Sequence, residues 1–246
     1  MRACGVQLVS GEQIRATTVI SNADPKTSFL KLLGAQHLDV QFTHRINRLR
    51  NDGFVAKLHL ALDDLPAFTG LEKPGGRMML TPSMKSIECA FDEAKYGGFA
   101  SELPMEVIIP SLLDDSLAPA GKHVLSANVQ YAPYNVKGGW EVHRQQFLDN
   151  AMDTLEQYAP GIKGLVSASE LLTPADLEAQ FNVAGGHWHH AEFAIDNWWM
   201  NRPTYGASQY KTPVPGFYLC GAGAHPGGGL MGTCGANAAR AILEDR

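Results

Sequence analysis

The sequence predicts an α/β protein, and two observations carry that prediction. Stretches with the period-two alternation of strands are interleaved with stretches of helical period. Near the carboxyl end a short apolar strand runs through a glycine-rich bend into a helix of small residues. The clearest strand is Phe54 to Leu62, where Phe54, Ala56, Leu58, Leu60 and Leu62 alternate with Val55, Lys57, His59 and Ala61. The clearest helix is Trp140 to Tyr158, with Leu148, Met152 and Leu155 on one stripe and Pro160-Gly161 ending it.

The remaining elements follow in chain order. Val6 to Asn22 reads as a hairpin and a strand: Val6 to Val9 alternates, Ser10-Gly11-Glu12 is turn chemistry, and Ile14 to Ile20 resumes a β-branched run. Ser21-Asn22-Ala23-Asp24-Pro25 breaks that strand and opens a helix over Lys26 to Leu33. A hairpin is marginal alone, so this one needs a sheet to join. Ser83 to Tyr96 has helical spacing, and Met105 to Ile109 and Val124 to Tyr131 are strands separated by the loop Pro110 to Gly121. Thr173-Pro174-Ala175-Asp176 is a capping box with proline at the first helical position, opening a helix to about Phe181.

Composition narrows the function. The 246 residues are 45% hydrophobic and 18% charged, which suits a globular enzyme and argues against disorder. The formal charge is −5, with no clustered basic face of the kind nucleic-acid binding needs. No run approaches the roughly 18 apolar residues of a membrane span, and Met1-Arg2-Ala3-Cys4-Gly5 leads into no apolar signal core, so a cytoplasmic address is expected. Cys4, Cys89, Cys220 and Cys234 form no C-x-x-C pair and are read as reduced thiols.

The glycine-rich end carries the most information. Gly216 to Cys220 reads as a buried strand, and six of the twelve residues from Gly221 to Gly232 are glycine. Such a bend lets backbone approach a ligand closely or adopt positive φ. The helix that follows is lined with Gly232, Cys234, Gly235, Ala238 and Ala239, and its amino terminus presents free N–H groups and a positive dipole end. Gly227-x-Gly229-x-x-Gly232 matches the G-x-G-x-x-G string but is not a dinucleotide fingerprint. The strand ends seven residues earlier, and these 246 residues end before the acidic position expected about twenty residues on.

Gly216 to Gly232 resembles the closing flavin motif of the phytoene desaturase-like FAD-dependent oxidoreductases. Ser21 to Pro25, Tyr131-Ala132-Pro133-Tyr134 and Ala194 to Pro203 resemble that family in the same order. The resemblance implies a glutathione-reductase-like architecture and FAD as cofactor, with hydride removal from a hydrophobic small molecule. It places Gly221, Ala222 and Gly223 beside the ribityl–phosphate region, and Leu230, Met231 and Gly232 at the flavin pyrimidine edge. Gly229 belongs to the same bend, and His225 either stacks near the flavin or fixes the turn. Members of the family begin with a strand–G-x-G-x-x-G–helix unit that holds the FAD pyrophosphate, and this chain carries none. It therefore reads as the carboxy-terminal part of such an enzyme, with residues 1–25 and 204–246 in a partial FAD domain and 26–203 forming a mixed α+β substrate domain. FAD binding by the chain alone is expected to be weak or absent.

His187-Trp188-His189-His190-Ala191-Glu192 invites a metal reading, since His187 and His189 share one face of a strand. A catalytic metal wants three ligands and an open position, and nothing else in the sequence supplies them, so no metal is expected. In the resemblance this segment is a strand with His190 as its one matching histidine. Trp198-Trp199-Met200, with Phe193 and Ile195, is either core or a wall of the substrate cavity. Lys57 and His59 face that cavity or solvent. Hydride transfer from carbon needs no fixed nucleophile, and no catalytic residue is assigned. Two alternatives stay open: a non-catalytic substrate-binding or dimerisation module, and one subunit of a split flavoenzyme whose other chain supplies the nucleotide-binding unit. A homo-oligomer is compatible with either.

Overall fold

The computed structural model describes residues 1–229 and 231–245, with Trp199 described by its backbone alone. In chain order the strands are β1 (Gly5–Gln7), β2 (Gln13–Arg15), β3 (Val19–Ser21), β4 (Val55–Leu62), β5 (Met78–Leu80), β6 (Met105–Ile108), β7 (His123–Gln130), β8 (Val166–Leu172) and β9 (Phe217–Leu219). The α-helices are α1 (Val40–Asn47), α2 (Met84–Lys95), α3 (Trp140–Tyr158), α4 (Pro174–Phe181) and α5 (Thr233–Glu244).

The chain folds into two compact units. Gly53–Gln180 forms one, and Met1–Asp52 with the segment from Phe181 onward forms the other. The sequence places its domain boundaries at 25/26 and 203/204, whereas residues 26–52 and 181–203 lie in the discontinuous unit. The reason is packing: Phe29, Phe42, Ile46, Leu49 and Ala191 share one core with Val214, Phe217, Leu219 and Ala224. Phe29 sits at its centre, edge-on to Phe42 at 4.9 Å and to Phe217 at 5.9 Å between ring centroids.

The contiguous unit is a five-stranded antiparallel sheet in the order β5-β6-β7-β4-β8. The alternation read in β4 sets its faces, with Ala56, Leu58, Leu60 and Leu62 buried together with Leu125, Ala127 and Val129 of β7. Helix α3 contributes Phe147, Ala151 and Leu155 to the same core. Of the expected stripe only Leu155 is buried; Phe147 and Ala151 take the inner positions one residue earlier, and Leu148 and Met152 are partly buried beside them. The Thr173–Asp176 capping box forms, with Thr173 N–H donating to Asp176 Oδ2 at 2.7 Å and Asp176 N–H to Thr173 Oγ1 at 3.3 Å.

In the discontinuous unit, the strand expected over Ile14 to Ile20 is two strands. β2 pairs with β1 in an antiparallel hairpin, and β3 leaves it to pair in parallel with β9, Val19 opposite Phe217 and Ser21 opposite Leu219. The helix expected over Lys26 to Leu33 is a π-helical stretch over Thr27–Gly34. Helix α5 turns Cys234, Ala238 and Ile242 inward. Ala238 is 1% exposed, so Ala238→Leu is expected to overpack this helix and cost about 1–3 kcal/mol, read as a lower midpoint in urea denaturation. An unchanged midpoint would show that the helix has room to shift.

Candidate functional site

The glycine-rich segment builds a cavity. β9 is fully buried, and past its end Cys220 N–H still donates to Ser21 O at 2.9 Å, which carries the chain to the bend in register with β3. The bend from Gly221 opens on a cavity of about 780 Å³, within the range of small-molecule and cofactor sites. One wall is Cys220, Gly221, Ala222, Gly227 and Gly229, and a second is Met231, Gly232, Thr233, Cys234 and Gly235 at the start of α5. Asn22, Trp188, His189 and His190 complete it. Gly232 caps α5 at φ 68°, and no side chain caps the helix, so its first N–H groups and dipole end stand at the cavity edge. A Cβ at Gly235 would meet nothing within 4 Å, so this turn offers bare backbone to an incoming group.

The histidine segment is not a strand. Gly185 and Gly186 take positive φ, His190 N–H closes a turn onto His187 O at 2.7 Å, and His190 itself lies at φ 64°. The turn breaks the alternation that would have set His187 and His189 on one strand face. It places His189 and His190 in the cavity wall and leaves His187 off it. Burial pushes the His187 imidazole down to about 4, helped by the charges of His189 and Arg202, and burial also lowers His189 and His190, so all three rings are neutral at pH 7. The Nδ1 atoms of all three are buried without a hydrogen-bond partner among the described residues. Among the described residues no cluster of three or more His, Cys, Asp or Glu is arranged to hold a metal. Elemental analysis of the purified chain is expected to find no stoichiometric zinc or iron. About one tightly held metal per chain, lost in the His187/His189 double variant, would overturn that.

Arg202 holds this wall to the bend. Its side chain is fully buried; Nε donates to Ala222 O at 3.0 Å, Nη1 to Glu192 O at 3.3 Å, and Nη2 to Ala191 O at 3.1 Å and to His189 O. The guanidinium lies over the Phe193 ring, 4.4 Å from its centroid. Burial lowers its pKa to about 10, which leaves it charged at neutral pH, and no carboxylate pairs with it among the described residues. Nothing in the local sequence marks Arg202. Its place is set by two backbone segments, His189 to Glu192 and the bend at Ala222, that converge on it.

Of the residues singled out from sequence, Gly221, Ala222, Gly229, Met231, Gly232 and His190 line the cavity. Gly223 sits behind it, against Pro25 and His190. His225 turns its carbonyl to the Tyr210 hydroxyl at 2.9 Å, and its Nδ1 is buried without a partner. Leu230 lies outside the described residues, as does the Trp199 side chain. Trp198, Phe193, Ile195 and Met200 are exposed to 58%, 42%, 93% and 71%, so this block is not core. Two short 3₁₀ turns, Ile195–Asn197 and Trp199–Asn201, give it no continuous face to bury. Lys57 and His59 lie on the polar face of β4 in the contiguous unit. There Lys57 Nζ donates to Ser126 Oγ at 3.1 Å and Asn128 Oδ1 at 2.8 Å, and Asn128 Nδ2 donates to Glu106 Oε1 at 3.3 Å. Burial lowers the pKa of both Lys57 and His59.

Mixed helices and strands with a strand–bend–helix site define an α/β protein of the FAD-dependent oxidoreductase fold. An oxidoreductase from Methanosarcina mazei shares that fold, with a TM-score of 0.60 at 18% identity over 99% of this chain and 46% of its own. In sequence, the chain is 41% identical over 258 residues to the mouse (Mus musculus) pyridine nucleotide-disulfide oxidoreductase domain-containing protein 2, covering 99% of this chain and 44% of the relative. It is 25% identical to a lycopene-forming phytoene desaturase from a Paracoccus species, covering 99% of this chain and 48% of the relative. The resemblance to the phytoene desaturase-like FAD-dependent oxidoreductases, the branch of the mouse protein included, therefore holds along the whole chain. No family model matches the chain. The chain spans less than half the length of these curated relatives.

Proposed function

We propose that the chain is the flavin-facing and substrate-facing part of an FAD-dependent oxidoreductase that dehydrogenates or oxidises a hydrophobic small molecule by hydride transfer. The observation that carries this reading is the cavity at the uncapped amino terminus of α5, walled by the glycine-rich bend. The residues present suit the flavin end of FAD: open backbone at Gly235, helix N–H groups at Gly232 and Thr233, and the buried charge of Arg202 behind the bend. Gly221, Ala222 and Gly223 would meet the ribityl–phosphate region, with His225 and Gly229 ordering the bend between. Leu230, Met231 and Gly232 would meet the pyrimidine edge.

When bound, FAD supplies the hydride acceptor. Donors at the helix start favour the negative charge that grows at that edge on reduction. His190 and Trp198 would line the substrate path within the discontinuous unit, where the exposed aromatic ring of Trp198 suits an apolar molecule. No helix among the described residues is long and apolar enough to cross a membrane, and the working place we assign is the cytoplasm. Val6, Leu8, Val9, Ile14 and Ile20 are exposed on and beside the hairpin, whereas Phe217, Tyr218 and Leu219 are buried. The exposed set favours completion by further polypeptide, of the same protein or of a second chain, over an autonomous binding module.

The test is to co-express the chain with an amino-terminal dinucleotide-binding segment of the family's kind and purify through a tag on this chain. The complex is expected to be yellow, and its flavin band to bleach without oxygen when an apolar alcohol, amine or polyene is added. A complex that forms yet stays colourless would sink the proposal.

A further inference from the structure

Two buried polar atoms, one on His190 in the cavity wall and one on Asp24, two residues on from Asn22 of that wall, have no hydrogen-bond partner among the described residues. Asp24 is 2% exposed; its Oδ1 accepts from Thr27 N–H at 3.0 Å, while its Oδ2 is buried without a hydrogen bond. His190 lines the cavity, and its Nδ1 is likewise buried and unpaired. Two unsatisfied buried polar atoms cost about 1–3 kcal/mol each, so their survival near a ligand cavity calls for a use.

The backbone around them is held for this placement. His190 is kept in the left-handed region at φ 64° by its N–H to His187 O at 2.7 Å and by Asn51 Nδ2 donating to its carbonyl at 3.1 Å. A non-glycine residue there is uncommon, and such strain gathers at functional sites. Gly223 stands between the two segments. A Cβ on it would lie 2.6 Å from Cδ of Pro25, the residue after Asp24, and 3.5 Å from Cβ of His190. Glycine is what lets the Asp24 turn and the His190 turn close on each other. Of the charged and titratable groups that act on His190, the Asp24 carboxylate alone favours its protonation, while Arg202, His189 and burial oppose it.

We propose that Asp24 and His190 form a carboxylate–imidazole dyad in which Oδ2 of Asp24 accepts the Nδ1 proton of His190 and so presents a bare Nε2 to the cavity as the proton acceptor of the oxidation. Asp24 is the positioning residue and His190 the base. No hydrogen bond joins the two in this structure; a side-chain rotation or one bridging water closes the pair. The assignment rests on the flavin-dependent reading above. With FAD bound, the cofactor would supply the acceptor for the hydrogen that leaves the substrate carbon with its bonding pair, and the role of this chain is the proton. The adjacent C–H, N–H or O–H bond breaks, its electron pair becomes the new π bond, and its proton passes to Nε2 of His190. The same logic of a carboxylate selecting a tautomer operates in other acid–base sites.

The decisive measurement needs no flavin. Imidazole nitrogen spectra of the ¹⁵N-labelled chain, with His190 assigned through His190→Gln, are expected to show the Nδ1–H tautomer. Asp24→Asn keeps Oδ1 for the Thr27 cap but puts an amide NH₂ where Oδ2 was, so Nδ1 must accept and the ring is expected to switch to Nε2–H. An Nε2–H tautomer in the unmodified chain, or no switch in the folded variant, overturns the dyad. In the flavin-loaded complex, Asp24→Asn is expected to keep the flavin and slow substrate-driven bleaching about 10²–10⁴-fold. Bleaching at the unmodified rate overturns the base assignment. A colourless complex overturns the flavin reading itself, and with it the role of the base, even where the tautomer switch is seen.

Discussion

Arg202→Ala is expected to lower stability by about 3–5 kcal/mol, among the largest single-residue effects in the chain. The substitution removes the whole of a fully buried side chain and leaves the carbonyls of His189, Ala191, Glu192 and Ala222 without their donor. Each carbonyl left dry costs about 1–3 kcal/mol, reduced where water enters the hole. The Phe193 ring loses its cation as well. Arg202→Lys keeps the charge but offers three donors from one point rather than a planar fork, so an intermediate loss is expected. The measurement is equilibrium urea denaturation of both variants. A loss below about 1 kcal/mol for Arg202→Ala would mean that the converging segments hold together without the guanidinium.

The second large effect is on cofactor retention. Mixed with excess FAD and desalted, this chain by itself is expected to emerge colourless. The pyrophosphate carries the ligand's charge, and in dinucleotide-binding folds it rests on a helix amino terminus after a first G-x-G-x-x-G strand turn, a motif not found in these 246 residues after a first strand. The cavity at α5 offers N–H contacts at Gly232 and Thr233, each worth about 0.5–1.5 kcal/mol net. A few such contacts do not outweigh the cost of ordering a long flexible ligand. A stoichiometric flavin band after desalting would show that the chain completes its own site.

Much of the contiguous unit was legible because strict alternation is a strong signal. Phe54 to Leu62 announces its buried face, and β7 and β6 fall within a residue or two of their expected bounds. β8 escaped because it lies at the sheet edge with most of its residues exposed, so no alternation was imposed on it. α1 escaped because eight residues carry only two buried positions, Phe42 and Ile46, and a single Asp39 cap is the one local signal of its start. At the site, the glycines of the bend were readable as backbone that something approaches, but the far wall was not. Trp188 and His189 enter it through a turn, and Arg202 ties that turn to the bend from behind through long-range hydrogen bonds; neither leaves a period in the sequence.

The parallel pairing of β3 with β9 has a kinetic side. Val19 meets Phe217 only after a loop of roughly 200 residues has closed, whereas every strand pair of the five-stranded sheet joins residues of the contiguous segment between them. Closing the longer loop as free coil costs more entropy, and folding the intervening segment first shortens the loop that remains. Residues 53–180 are thus the natural nucleus, and the cavity walls, drawn from both flanks, are the last part of the molecule to be assembled.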